Sequence, residues 1–250
     1  MTSSLLQVSA KKGPPLQLGD LHAFRLVVFD FDGTLVDSQH AIAEAMGLAF
    51  SDIGVAPPAT RDVRRVVGLK LEVAISRLLP ESVDDEGVRR AAARYREAFF
   101  EIRTRRDFEE PLFPGVHDAL AVLNRPEVCL AIATGKNRRG LLAGLERHEL
   151  ADFFVTLKTA DDGPGKPHPA ILQDAMAEVG AAPEETVVIG DTSFDMAMAR
   201  SAGAMGIGAG WGYHTAEELS EAGASKVLDG LSEVPGALAA LRSATGLETT

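Results

Sequence analysis

Apolar and polar positions alternate along this chain in two different rhythms. Leu26-Val-Val-Phe29 is a short, continuously apolar run, the pattern of a parallel strand covered on both faces. Asp37-Ser38 follows as a pair suited to capping a helix. Ile42, Ala45, Ala49 and Ile53 then recur at helical spacing, with Met46 and Phe50 widening the stripe, until Gly54 and Pro57-Pro58 stop it. Residues 60–106 keep a helical period and contain no strand-like run. Val63, Val66 and Val67 make one short apolar face. Leu71, Ala74, Ile75, Leu78 and Leu79 make a second, and 85–103 predicts a longer amphipathic helix through Val88, Ala92, Tyr95, Phe99 and Ile102.

Beyond Pro111 and Pro114-Gly115 the rhythm changes. Helices are predicted over 116–123, from Asn137 to near Leu150, and over 169–179, 194–202, the stretch after His214, and 234–241. Strands are predicted over 128–133, 153–157, 186–189, 205–208 and 226–228. Such alternation implies parallel βαβ units. A helix-only block of this length is too long for a loop in a compact domain. The expected fold is therefore α/β: a Rossmann-like parallel sheet core with a helical cap domain inserted after the first strand. The expected division is a flexible N-terminal tail at 1–20, the core at 21–37 and 111–250, and the cap at 38–110.

Composition narrows the class. The 250 residues carry 46% hydrophobic and 24% charged side chains and a net charge of −11, the balance of a soluble globular protein without a basic face for nucleic acid. No apolar stretch is long enough for a membrane span, and the first residues lack a signal-peptide pattern. The single cysteine, Cys129, excludes an intramolecular disulfide and sits in an apolar run that suggests a packed hydrophobe. A cytoplasmic protein is expected, without nucleic-acid or membrane partners. The sequence sets no oligomeric state.

Candidate chemistry gathers where strands end. Asp30 and Asp32 follow the first strand, with Gly33-Thr34 behind them. Adjacent acids at a strand end suit metal binding or acid–base work, whereas Asp-Gly also suits a plain turn. Thr134-Gly135-Lys136-Asn137 meets a helix start, where anions are favoured; the rival reading makes Thr134 only a cap. Lys136, Arg138 and Arg139 crowd that first turn and require an anion or acidic neighbours. Lys166, held between Gly165 and Pro167, suits phosphate or a carboxylate, or else is an exposed loop lysine. His168 beside it reads as a surface or helix-start residue. Asp191 repeats the opening logic after a third strand, and Asp195 is either functional or a helix-dipole partner. Carboxylates with oxygen donors suit Mg²⁺, and a hydroxyl, a lysine and a helix start suit phosphate, so the set points to metal-assisted phosphoryl chemistry.

Asp30-x-Asp32-Gly33-Thr34, Thr134, Lys166 and Gly190-Asp191-x-x-x-Asp195 occur in the order of the four motifs of haloacid dehalogenase-like hydrolases, which the chain resembles from about Arg25 onward. The insert, Phe113-Pro-Gly-Val and Trp211-Gly-Tyr213 resemble the phosphoglycolate phosphatase-like branch. That resemblance implies Asp30 as nucleophile and Asp32 as acid and base. It implies Mg²⁺ on Asp30, the carbonyl of Asp32 and Asp191. Phosphoryl oxygens would be held by Gly33, Thr134, Gly135 and Lys166, with Asp195 supporting. It implies a Mg²⁺-dependent phosphatase for a small phosphorylated metabolite, with 2-phosphoglycolate a candidate. The alternatives are a sugar-phosphate mutase of β-phosphoglucomutase type and a non-catalytic regulator that binds a phosphorylated ligand. Arg61, Arg64, Arg65 and Lys70 are the cap's candidates to meet the substrate, against a solvated helix face.

Overall fold

A computed structural model describes residues 24–245, and the tail expected over 1–20 lies outside the described residues. The strands β1 (Leu26–Phe29), β2 (Cys129–Ala133), β3 (Thr156–Lys158), β4 (Thr186–Gly190), β5 (Met205–Ala209) and β6 (Lys226–Leu228) form one sheet in the order β3-β2-β1-β4-β5-β6. Every neighbouring pair is parallel. β1 is central because its four residues are apolar and buried on both faces. Val27 and Phe29 join Ile132 and Ile189 in the core under α5 (Val116–Leu123) and α6 (Arg138–Arg147). Leu26 and Val28 join Ala131 and Val188 on the opposite face under α7 (Ala170–Val179) and α8 (Ser193–Ala202).

Register decides where the chemistry falls. Phe29 stands level with Ile132 of β2 and Ile189 of β4. One residue beyond that level stands Asp30, and two beyond it stand Thr134 and Asp191, so the three strands run out at one carboxyl edge. That edge is where open parallel sheets bind ligands.

Between β1 and β2 lie α1 (Gln39–Asp52), α2 (Thr60–Arg64), α3 (Leu71–Leu78) and α4 (Asp85–Arg103). They bury an apolar cluster of their own that includes Ile42, Met46, Phe50, Ile75, Phe99 and Ile102. Asp37 N–H donates to the Pro111 carbonyl (2.8 Å) and Phe113 N–H to that of Leu35 (3.0 Å). The two connections to the helical block thus run side by side next to Asp30 and Asp32. Among the described residues, no helix is long and apolar enough to cross a membrane.

Three local expectations change. The strand expected over 153–157 is Thr156–Lys158, because Ala151–Phe153 forms a 3₁₀ turn that turns Phe153 and Phe154 onto the core and leaves Val155 exposed. The helix expected to reach Leu150 ends at Arg147, and Glu149 takes a left-handed φ of 55° as the chain turns back. Ser38 stands at the start of α1, but its hydroxyl makes no capping bond and serves Asp32 instead; Asp37 takes the bond from Gln39 N–H (3.4 Å). Cys129 is half-buried against the α7–α8 face, and α9 (Ala216–Ala222) and α10 (Val234–Thr245) are the remaining α-helices of the described residues.

Candidate active site

Asp30 is buried just past β1. Its Oδ1 accepts from Phe31 N–H (2.7 Å) and faces Lys166 Nζ at 2.9 Å, whereas Oδ2 has no hydrogen-bond partner. Burial pushes the Asp30 carboxyl up to about 7, against the pull of Lys166 and with the added push of Asp195. Lys166 is fully buried and also meets Asp195 at 2.5 Å. Burial pulls its pKa down, but Asp195 and Asp30 outweigh it, so the ammonium is held above its ordinary range. The rival reading of Lys166 as an exposed loop lysine does not hold: its Gly and Pro loop threads it between two acids. Its neighbour His168 is exposed, accepting from Ala170 N–H at 3.2 Å.

Asp191 leaves β4 beside this pair. Thr34 Oγ1 donates to its Oδ1 (2.8 Å) and Tyr213 N–H to its Oδ2 (3.0 Å). Burial, then Asp30 and Asp195, raise its pKa well above the usual carboxylate range. Asp195 meets two neighbours. It closes a capping box with Thr192 at the start of α8 and pairs with Lys166. Gly33 presses against Asp191: a Cβ there would come within 2.2 Å of Asp191 Oδ2, and its φ of 87° disfavours any side chain. Gly33 N–H is donated to the Val36 carbonyl (2.8 Å).

Asp32 points away from this cluster. Both of its oxygens take bonds from Lys136 Nζ (2.8 and 3.0 Å), and Ser38 Oγ donates to Oδ1 (2.7 Å). Lys136 Nζ also lies 3.7 Å from Glu110. Burial pulls the Lys136 pKa down, and the two acids, Asp32 first, more than reverse it. Burial raises Glu110 against the pull of Lys136. Tyr213 OH completes the group, accepting from Ser38 N–H at 3.2 Å. Lys136, Ser38, Glu110 and Tyr213 were not nominated as site residues. The excess of cations after Thr134 was a signal for Lys136, because it required acidic neighbours. The Arg138 guanidinium finds its own in Asp162, while its backbone N–H donates to Asp161. Thr134 is not the cap of α6: Asn137 is, accepting from Gly140 N–H (2.7 Å), while Thr134 Oγ1 accepts from Lys136 N–H (3.2 Å).

A cavity of about 730 Å³ joins these residues to the helical block. Lys70 and Gly135 line it. Arg65 lies outside the lining and pairs with Glu218 at 2.6 Å. Arg64 donates to the Gly212 carbonyl (3.2 Å), and Arg61 is an exposed partner of Asp62.

One carboxylate oxygen from each of Asp30, Asp191 and Asp195 lies within 4.8 Å of the others. An all-oxygen donor set with an unpartnered buried oxygen on Asp30 fits a hard divalent cation. Asp32 contributes no side-chain oxygen to that cluster, because its carboxylate is turned to Lys136.

Fold and site together define a capped α/β protein with an acid–lysine centre at its strand ends. The family model for haloacid dehalogenase-like hydrolases matches residues 27–209, and the chain belongs to that family. It is 38% identical over 217 residues to "Probable phosphatase IndB" of Dickeya dadantii, covering 86% of this chain and 94% of that protein. It is 32% identical over 209 residues to phosphoglycolate phosphatase of Pseudomonas putida, covering 83% and 77%. Among solved structures, a haloacid dehalogenase-like family hydrolase from Streptococcus pneumoniae superposes with a TM-score of 0.74 at 28% identity, covering 86% of this chain and 98% of that one. A hydrolase from Pseudomonas syringae gives 0.75 at 28%, covering 85% and 96%.

Proposed function

We propose that this chain is a Mg²⁺-dependent phosphatase that hydrolyses a small phosphomonoester through an aspartyl-phosphate on Asp30. The observation that carries the reading is the buried cluster at the sheet edge: Asp30 with one unpartnered oxygen, facing Lys166 and set among Asp191 and Asp195.

In this reading an Asp30 oxygen attacks phosphorus and the bond to the leaving alcohol breaks. Asp32 gives the departing oxygen its proton. Water then attacks the same phosphorus, passes a proton to Asp32, and the Asp30–phosphorus bond breaks to release inorganic phosphate. Ser38 and Lys136, both bonded to Asp32, aim that carboxyl. Lys166 and the Thr134 hydroxyl hold phosphoryl oxygens, Gly135 lets the backbone approach, and Asp195 steadies Lys166. Mg²⁺ held by Asp30, Asp191 and the Asp32 carbonyl, with Asp195 beside them, would offset the clustered negative charge and polarise the phosphoryl group.

Residues 38–110 act as the cap, with Lys70 facing the substrate and Arg65 turned to Glu218. The substrate is a small phosphorylated metabolite of the cytoplasm. The relatives named phosphoglycolate phosphatase supply a first candidate, 2-phosphoglycolate. The test is phosphate release from a broad phosphomonoester panel, with Mg²⁺ and with chelator. Release that depends on the metal supports the reading. No release from any ester, or isomerisation of a sugar 1-phosphate without free phosphate, overturns it.

A further inference from the structure

The cavity has room for more than a phosphoryl group. Its volume of about 730 Å³ falls in the range that holds drug-sized ligands, roughly 300–1,000 Å³. Asp30, Asp32 and Thr134 form the reacting end. Helix α4 contributes Tyr95, Phe99 and Arg103 to the wall, at the spacing that places side chains one turn apart on a single face. Lys136 Nζ lies 4.9 Å from the centre of the Phe99 ring and bonds Asp32. Arg103 stands near that lysine: burial first, and Arg103 with it, work against the Lys136 charge that Asp32 and Glu110 sustain. Its guanidinium is therefore on the side of the cavity where a leaving group would meet Asp32.

The other cations of the cavity are occupied. Lys136 is taken by Asp32 and Glu110, and the exposed Arg96 by Glu72. The Arg139 guanidinium lies 4.8 Å from the centre of the exposed Phe100 ring. The stem of Lys70 runs against Gly165, next to Lys166, and so belongs to the phosphoryl end. Arg103 is half-buried, has no ion pair among the described residues, and keeps its Nε buried without a hydrogen-bond partner. A guanidinium does not give up its proton, and a buried donor without an acceptor is costly. Glu110 leaves that donor unserved, although burial raises its pKa and Lys136, Arg103 and Arg147 all pull it back down. Those three cations stand around the two acids Asp32 and Glu110, a local excess of positive charge in a chain of net charge −11. In the phosphatase reading Lys166, Thr134 and Gly135 already serve the phosphoryl group, so the excess suits a second anion. A carboxylate or phosphate can take Nε–H and an Nη–H together, the fork that a guanidinium presents.

We propose that Arg103 is a specificity residue that binds a second anion of the substrate, a carboxylate or a further phosphate carried on the leaving alcohol. This rests on the phosphatase reading and names its substrate class.

The Mg²⁺-loaded full chain is assayed for phosphate release from two matched pairs, 2-phosphoglycolate with ethyl phosphate and fructose 1,6-bisphosphate with fructose 6-phosphate, and from acetyl phosphate. A charge-assisted fork predicts kcat/KM about tenfold or more higher for the member with the second anion in at least one pair. Preference in the first pair identifies a carboxylate, and in the second a phosphate. No preference in either pair overturns the proposal, while turnover of acetyl phosphate leaves the phosphatase reading standing. No phosphate from any of the five esters sinks both. Arg103→Gln keeps a polar side chain without the charge and should lower the preferred pair's ratio by about tenfold, chiefly through KM of the ester with the second anion. The partner ester reports any general damage to the variant. An unchanged ratio, whatever the absolute activity, overturns the assignment to Arg103.

Discussion

Asp30 and Asp32 are one residue apart yet face different partners, a divergence that suits the proposed division into nucleophile and acid. Asp30 faces Lys166 with one oxygen and leaves the other unpartnered, whereas both oxygens of Asp32 are engaged by Lys136. Lys136→Ala should therefore damage proton transfer more than binding. Its kcat on alkyl phosphates is expected to fall by about 100-fold, the lower range of a general-acid contribution. Acetyl phosphate, whose leaving group needs no proton, should lose much less. Equal losses on both substrates would mean that Lys136 merely supports the fold. Asp30, Asp32 and Asp191 stand out in the sequence because each follows an apolar run, whereas Lys166 stands out only by its Gly-Lys-Pro loop and the order of the motifs. Lys136, Ser38 and Glu110 do not, because what defines them is a partner: the Lys136–Asp32 bond spans 104 residues.

The turn between α2 and α3 lies directly on the core. A Cβ on Gly135 would stand 2.5 Å from the Gly68 carbonyl oxygen and 2.7 Å from that of Leu69, both main-chain atoms that cannot rotate away. Gly135→Ala should thus push the helical block off the sheet edge and misplace the cavity wall. An increase in KM of about tenfold or more is expected, since small misplacements of positioning groups carry such costs. An unaltered KM would show that this contact is dispensable. At this scale the helices of the block and most strands were readable from periodicity alone. The bounds of the edge strand β3 were not, because Phe153 and Phe154 look like strand residues but pack onto the core from a 3₁₀ turn. Ser38 looked like a cap for a similar reason: its residue type suits both a helix start and a carboxylate, and only the folded chain chooses.

In the molecule as a whole, buried acids set the response to metal. Asp30 and Asp191 are raised by burial, so the cluster is strained when ionised and should be relieved by a cation. At about a hundredfold excess over Kd, Mg²⁺ should raise the melting temperature by about 5 °C or more. Asp191→Asn should abolish that rise while stabilising the metal-free protein. A full Mg²⁺ shift in the variant would remove Asp191 from the metal site. A separate pH effect is expected at His148, away from the cluster. Burial first, and Arg147 second, hold its pKa below the usual 6.5. The folded chain then binds fewer protons than the unfolded one below that pH, so stability is fully present above about 6.5 and declines as pH falls through it. Chemical denaturation of His148→Gln should show a shallower acid-side decline; an identical slope would exclude this histidine. The parallel sheet and the inserted helices were legible in the alternation of the pattern. The strand order was not, since pairing in a sheet depends on side-chain packing between distant segments.

The account turns on a phosphoryl group carried by Asp30. Metal-loaded protein quenched in acid during turnover, digested and analysed by mass spectrometry tests this directly. A phosphoryl adduct on the peptide that contains Asp30, absent from Asp30→Asn, is the expected result. Continued turnover by Asp30→Asn, or an adduct on another residue, would contradict it.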